Sequence, residues 1–203
     1  MCTSASVPTP DWFSPLLAPG LSPLQISQLY GHYELLIRWN QRMNLTTVKA
    51  GPEMVIRHYC ESLFFAAHLP DAHKTISVLD VGSGAGFPGI PMAILKPDWK
   101  VTLVESSQRK AVFLRESSRS LQNVSVVAQR MESVSAHGDW VVSRAVDPRE
   151  VLRTVPRLAL NVGLMLGEDD FSAIRADSGI AWSDPVRLPW GDRKLCVYGK
   201  GST

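Results

Sequence analysis

The chain has 203 residues, 45% of them hydrophobic and 20% charged, with a formal net charge of only +2. That suffices for one folded domain with a sizeable core, and no run of about 18 apolar residues is present to span a membrane. Three scattered cysteines, Cys2, Cys60 and Cys196, exclude a disulfide framework or a zinc pattern. With no basic-then-apolar leader in MCTSASVPTPDW, the expected setting is the cytoplasm.

Residues 1–20 carry Pro8, Pro10, Pro15, Pro19 and Gly20 and are expected to form a flexible arm ahead of one domain at 21–203. In SPLQ, Ser22 is a helix cap, Pro23 a first helical residue and Gln25 the other half of a capping box. Ile26, Leu29, Tyr33, Leu36 and Ile37 then recur at helical spacing until NLTT breaks the pattern. PEMVIRHYCESLFFAAHL predicts a second helix, so residues 21–70 form a helical part expected to pack on the sheet edge or roof its ligand cleft. From about residue 75 the rhythm changes. ISVLDV, KVTLVES, VSVVAQ, DWVVSRAV, VGLML and KLCVYG read as strands. PGIPMAIL, QRKAVFLRESSRSLQ and PREVLRTVPRLAL read as helices between them, the last interrupted by Pro156. This alternation predicts an α/β, Rossmann-like fold over 75–203.

The segment VLDVGSGAGFPGIP joins the first strand to its helix and holds four glycines. In open α/β sheets this turn faces the ligand. Gly84-Ala-Gly86-Phe-Pro-Gly89 matches a dinucleotide fingerprint, while Asp80-Val-Gly82-x-Gly84-x-Gly86 fits a loop for S-adenosylmethionine. Asp80 favours the second. A carboxylate at the loop entrance repels a pyrophosphate and suits a cofactor with an amino group and a sulfonium. Glu105, ending the second strand, stands where an acid takes ribose hydroxyls in either case. Between Ser106 and Leu160, nine basic residues face five acids, and eight of the nine are arginines, the side chain that forks onto phosphate. No PP-aromatic segment follows the fourth strand and no cysteine lies in a nucleophile motif, which points to an acceptor needing neither deprotonation nor covalent activation, such as guanine N7.

RWNQRMNLTTV, RHYCESL, LDVGSGAGFPGIP, FLRE, NVSVVAQRMES and VVSRA, in this order, resemble the bacterial small-subunit rRNA guanine-N7 methyltransferase G family, also called glucose-inhibited division protein B, over about residues 24 to 200. The resemblance implies a class I methyltransferase with a mostly parallel seven-stranded sheet and an N-terminal helical extension. It implies methyl transfer from S-adenosyl-L-methionine to guanine N7 in 16S rRNA of the small ribosomal subunit or its assembly intermediate, by a monomer without metal. It places Gly82, Gly84 and Phe87 on the methionine side of the cofactor, Glu105 at the ribose, and Met131 and Glu132 at the adenine. Arg130 and Arg144 face the cleft as catalytic residues, Arg144 orienting the guanine or holding the cofactor carboxylate.

The chain departs from the family pattern at three places. Glu61 replaces an aspartate, Gly167 followed by acids replaces a Lys-Gly pair, and Val146 replaces an aromatic. A non-catalytic RNA-binding or assembly factor and, further off, an NAD-dependent oxidoreductase remain the alternatives.

Overall fold

The structure is a computed structural model and describes residues 9–70, 74–176, 179–191 and 193–201. Helix α1 (Pro23–Asn40) begins as the sequence dictates: the Ser22 side chain accepts from the Gln25 amide and the Gln25 side chain from the Ser22 amide. A continuous helical run follows as α2 (Pro52–Met54), a π-helical segment (Val55–Cys60) and α3 (Glu61–Ala67). π-Helical turns are frequent at functional sites, and this one carries His58.

Five parallel strands form the centre: β1 (Ser77–Val81), β2 (Lys100–Val104), β3 (Val124–Val127), β4 (Gly138–Arg144) and β5 (Ala159–Gly167). After them come β6 (Ile180–Trp182), β7 (Val186–Arg187) and β8 (Lys194–Gly201), with β8 antiparallel to β5. The order is β3-β2-β1-β4-β5-β8-β6, and β7 pairs with β8 off this path. The sheet thus has eight strands rather than seven, the extra one being a two-residue strand too short to show alternation in the sequence. The chain reverses direction across the sheet between β1 and β4, the position where open α/β sheets bind ligands.

Alternating side chains feed two cores, as the period of a strand requires. Val78, Leu103, Val142, Met165 and Tyr198 point to one face, and Leu79, Val104, Val141, Leu164 and Val197 to the other. Helices α6 (Pro148–Leu158) and α7 (Glu168–Arg175) cover the second face, α6 running through Pro156 without a break. On the first face, α4 (Gly89–Leu95) and α5 (Gln108–Ser117) are joined by the whole N-terminal helical part. That part therefore neither caps an edge nor simply roofs the cleft; it completes a layer. Phe65 stacks on Tyr198 at 5.2 Å between ring centroids, and the Tyr198 hydroxyl donates to the Phe65 carbonyl at 2.7 Å. Gly163 makes room for this, since a Cβ there would stand 2.9 Å from the Phe65 ring.

The expected arm is also corrected where it is described. Residues 1–8 lie outside the described residues, but Phe13 is fully buried, 5.1 Å from the Tyr30 ring and 6.1 Å from the Tyr59 ring. A phenylalanine sealed among tyrosines overrides the loosening effect of the prolines around it.

Candidate cofactor loop and active cleft

The loop after β1 turns tightly back over the sheet. Its Gly82 and Ser83 amides donate to the Val104 carbonyl at 2.9 and 3.1 Å, and the Ser83 hydroxyl donates to the Asp80 carbonyl at 2.7 Å. Gly82, Gly84 and Gly86 all hold positive φ, at 73°, 58° and 88°. At Gly82 the need is double, because a Cβ there would overlap the Cγ2 methyl of Val146.

Glu105 closes this turn. One carboxylate oxygen accepts from the Gly84 amide at 2.9 Å and the other from the Ser107 amide at 2.8 Å. Each oxygen keeps a further lone pair, so the group retains capacity to accept from hydroxyls. Asp80 does something other than what its position in the sequence promised. Strand alternation buries it completely behind the loop, where it accepts from the Gly89 amide at 3.0 Å. It braces the start of α4 instead of facing a cofactor cation, and burial pushes its carboxyl up to about 7.

Beside the loop lies a cleft of about 220 Å³ lined by Gly82, Arg130, Met131, Glu132, Val146 and Glu150, among others. Four residues singled out from the sequence meet here: Gly82, Arg130, Met131 and Glu132. The segment that carries the last three is fastened by Arg157, which donates to the carbonyls of Met131, at 2.8 Å, and Val134. In the sequence Arg157 is one of nine basic residues between Ser106 and Leu160, with no local signal for this role.

Phe87 and Arg144 fall on the other side of the loop, against the helical layer. The Phe87 ring is buried, stacked on His58 at 4.6 Å and edge-on to His32 and Tyr59. Arg144, the last residue of β4, is mostly buried and pairs with Glu61 at 2.9 Å, while Lys194 reaches the other Glu61 oxygen at 3.2 Å. One acid thus stands between two bases, leaving net positive charge. The Nη1 group of Arg144 is buried with no hydrogen-bond partner among the described residues. Ala145, next in the chain, holds φ at 60°, an uncommon conformation for a residue with a Cβ, and so turns the chain sharply towards Val146 in the cleft.

Two histidines tie the helical layer to the loop, and neither role was foreseen. His32 lies 3.1 Å from the Ala85 carbonyl and 2.7 Å from the Tyr59 hydroxyl. A carbonyl only accepts, so Nε2 carries the hydrogen and Nδ1 accepts from Tyr59. His58 Nε2 meets the Thr46 hydroxyl at 2.8 Å. Burial lowers His32 to about 4; burial, then the Arg144 charge, lowers His58 to about 3, so both are neutral. Burial likewise raises Cys60 to about 11 and Cys196 to about 12, which removes both thiols as nucleophiles. The partner of Arg144 did have a signal in the sequence: Glu61 stands in the RHYCESL segment, but its distant mate was not identifiable.

Two of the three acids after β5 are paired locally. Glu168 pairs with Arg187 and Arg193, and Asp169 with Arg193 at 3.2 Å. Among the described residues no three His, Cys, Asp or Glu side chains are grouped to hold a metal ion, and no helix is long and apolar enough to cross a membrane.

A family model described as rRNA small subunit methyltransferase G matches residues 25–167. The chain belongs to that family. Methyltransferase G of Nitrosomonas europaea is 43% identical over 128 residues, which cover 61% of this chain and 58% of that protein. The methyltransferase G of Xanthomonas axonopodis pv. citri is 34% identical over 199 residues, covering 92% of each. Solved structures show the same fold at low identity. A SAM-dependent methyltransferase from Aquifex aeolicus superposes with a TM-score of 0.58 at 19% identity, over 73% of this chain and 93% of that one. Magnesium protoporphyrin IX methyltransferase from Synechocystis gives 0.62 at 15%, over 91% and 100%. The methyltransferase G family match covers the helical part, the glycine loop, the cleft and Arg144 together. The class I, Rossmann-like fold is that of S-adenosylmethionine-dependent methyltransferases.

Proposed function

We propose that the chain transfers a methyl group from S-adenosyl-L-methionine to guanine N7 in 16S rRNA of the small ribosomal subunit. The observation that carries the site assignment is the convergence of a positive-φ glycine loop, with Glu105 bonded to it, on a cleft that also holds Arg130, Met131 and Glu132. These residues fit the cofactor chemically: acceptors for hydroxyl and amino groups, and a backbone cradle that a Cβ would fill. Bound there, S-adenosylmethionine supplies a methyl on a sulfonium that the free lone pair of N7 takes directly, with no base required.

The chain's own work is positioning. Gly82 and Gly84 hold the backbone close, Phe87 stiffens the loop from behind, Glu105 takes the ribose hydroxyls, and Met131 and Glu132 take the adenine. On the helical side of the loop, outside the lining of the cleft, Arg144 offers its unpartnered Nη1 to an acceptor that reaches it, either the guanine O6 edge or the cofactor carboxylate. Arg130 lies on the cleft's exposed side, towards the RNA. The guanine gains positive charge in the reaction, so neither arginine is expected at N7 itself. The expected setting is cytoplasmic and the expected state monomeric. In support, the exposed large apolar side chains among the described residues, Trp12, Leu24, Val112, Leu160 and Trp190, lie on separate segments of the chain and form no single run.

A second reading, an RNA-binding factor without catalysis, is favoured by Val146, whose methyl lies on Gly82 and narrows the cleft. Nucleoside mass spectrometry of small-subunit rRNA from cells with and without the gene separates the two. Loss of N7-methylguanosine on deletion supports transfer; an unchanged nucleoside profile supports the factor. In single-turnover transfer, Arg144→Ala is expected to slow the reaction about a hundredfold, the usual contribution of one positioned donor, and Arg144→Lys to recover only part. Wild-type rates in both variants would return Arg144 to a structural ion pair.

A further inference from the structure

Helices α1 and α5 leave between them a groove of about 620 Å³, separate from the cofactor cleft. Arg38, Arg42 and Arg109 line it with Trp39 and Met43, against a single acid, Glu116. Arg38 and Arg42 lie four residues apart where α1 runs out, and Arg109 is in the first turn of α5. All three arginines are exposed, and none of their guanidinium groups is ion-paired among the described residues. Three like charges around one concavity repel one another unless an anion joins them. Trp39 is held in place by an edge contact with Phe113 at 5.7 Å.

The groove is tied to the cofactor loop through the elements that line it. Arg109 follows four residues after Glu105, whose carboxylate holds both Gly84 and the start of α5. From Trp39 the connection runs through Asn40, whose side chain accepts from Leu45 and Thr46, to the Thr46–His58 contact and so to Phe87. After β5, by contrast, Arg187 and Arg193 are themselves paired with Glu168 and Asp169.

We propose that this groove binds an unpaired RNA segment beside the target nucleotide, its phosphates on Arg38, Arg42 and Arg109 and a base against Trp39, an inference that rests on the rRNA substrate proposed above. A base pair in a duplex offers no free face to the indole, whereas a splayed single strand does. The segment's charge answers the three arginines, and its stacking answers the aromatic.

The test is a salt series of binding titrations with a labelled unpaired oligoribonucleotide of about ten nucleotides and with the same sequence as a duplex. The proteins are wild type, the triple variant Arg38→Gln/Arg42→Gln/Arg109→Gln, and a control, Lys100→Gln/Lys200→Gln. Both control lysines are exposed and lie near the opposite ends of the parallel strands, Lys100 starting β2 and Lys200 facing Asn161 early in β5. The triple variant is expected to bind the single strand at least about tenfold more weakly at about 0.1 M salt, with a log–log salt slope shallower by about two. The control and the affinity for S-adenosylmethionine stay as in wild type, and in methyl transfer the triple variant raises KM with kcat unchanged. An unchanged slope in the triple variant, an equal loss in the control, or an equal loss for the duplex would overturn the groove. Absence of methyl transfer by the wild type would instead overturn the catalytic function, while the titrations still decide the groove.

Discussion

Asp80→Asn is expected to change how stability depends on pH rather than simply to lower it. The Asp80 carboxyl is fully buried, and burial raises it to about 7, with a smaller push from Glu105. In the unfolded chain the same group titrates near about 3.9. Between these values the native state keeps a proton that the unfolded state has released, so this contribution is complete in acid and is lost as pH rises through about 7. The full span is about 4 kcal/mol, of which about 2.5 kcal/mol falls between about pH 5 and pH 7.5. His32, at about 4, and His58, at about 3, act in the opposite sense. Their unfolded forms take a proton below about 6.5 that the native forms refuse, which removes about 2 kcal/mol each by about pH 5. In the wild type the two effects largely offset, leaving a shallow profile. Asparagine keeps an acceptor for the Gly89 amide but removes the titration, so the histidines are unmasked. Urea unfolding across the pH range is expected to show the variant losing about 4 kcal/mol on going from about pH 7.5 to 5, against about 1.5 kcal/mol for wild type. Groups common to both proteins cancel in the difference. Parallel profiles would refute the reasoning, because they would mean that native Asp80 is already ionised at low pH.

Gly82→Ala combines a left-handed backbone with overlap on Val146, so calorimetry is expected to show at least about a tenfold loss in S-adenosylmethionine affinity, partly restored by adding Val146→Ala; no recovery in the double variant would place the cost in the backbone alone. Gly167→Lys should be tolerated in a thermal melt, since φ there is −78° and the nearest atom to a Cβ is Asp170 Oδ2 at 3.6 Å. If RNA passes this strand end, the added charge should steepen the salt dependence of RNA binding by about one contact, and an unchanged slope would put the RNA path elsewhere. Phe13→Ala is expected to cost about 3–5 kcal/mol in denaturant unfolding, as for other buried aromatics; a loss below about 1 kcal/mol would show that the segment before α1 contributes little to the core.

What was legible in the sequence was whatever local chemistry decides. The Ser22–Gln25 box, the parallel strands and the glycine turn are specified by residues within a few positions of one another, and each formed where expected. Helix α7 escaped notice because it is short and begins with three acids that resemble a loop; they suit a helix N-terminus, and only Phe171 and Ile174 bury it. At the site, Gly82, Arg130, Met131 and Glu132 are near their strand ends and so could be placed on one cleft. Asp80 departs from its expected place because one position of strand alternation separates a group facing the ligand from a group behind the loop. Glu61, His32 and Lys194 stayed out of reach for another reason. Their partners are Arg144, Ala85 and Glu61, and these distant pairings exist only once the helical layer has docked.

The tie between His32 and Ala85 makes the cofactor turn and the N-terminal helices one cooperative unit. The imidazole spends both ring nitrogens on this bridge, so the turn cannot loosen without breaking a buried contact to the helices, nor the helices lift without releasing the turn. Occupancy of the turn therefore becomes a term in the opening free energy of a layer that does not line the cofactor cleft. Amide exchange in the middle of α1 should slow when S-adenosylmethionine binds, because by linkage a ligand held on the turn stabilises the layer bonded to it.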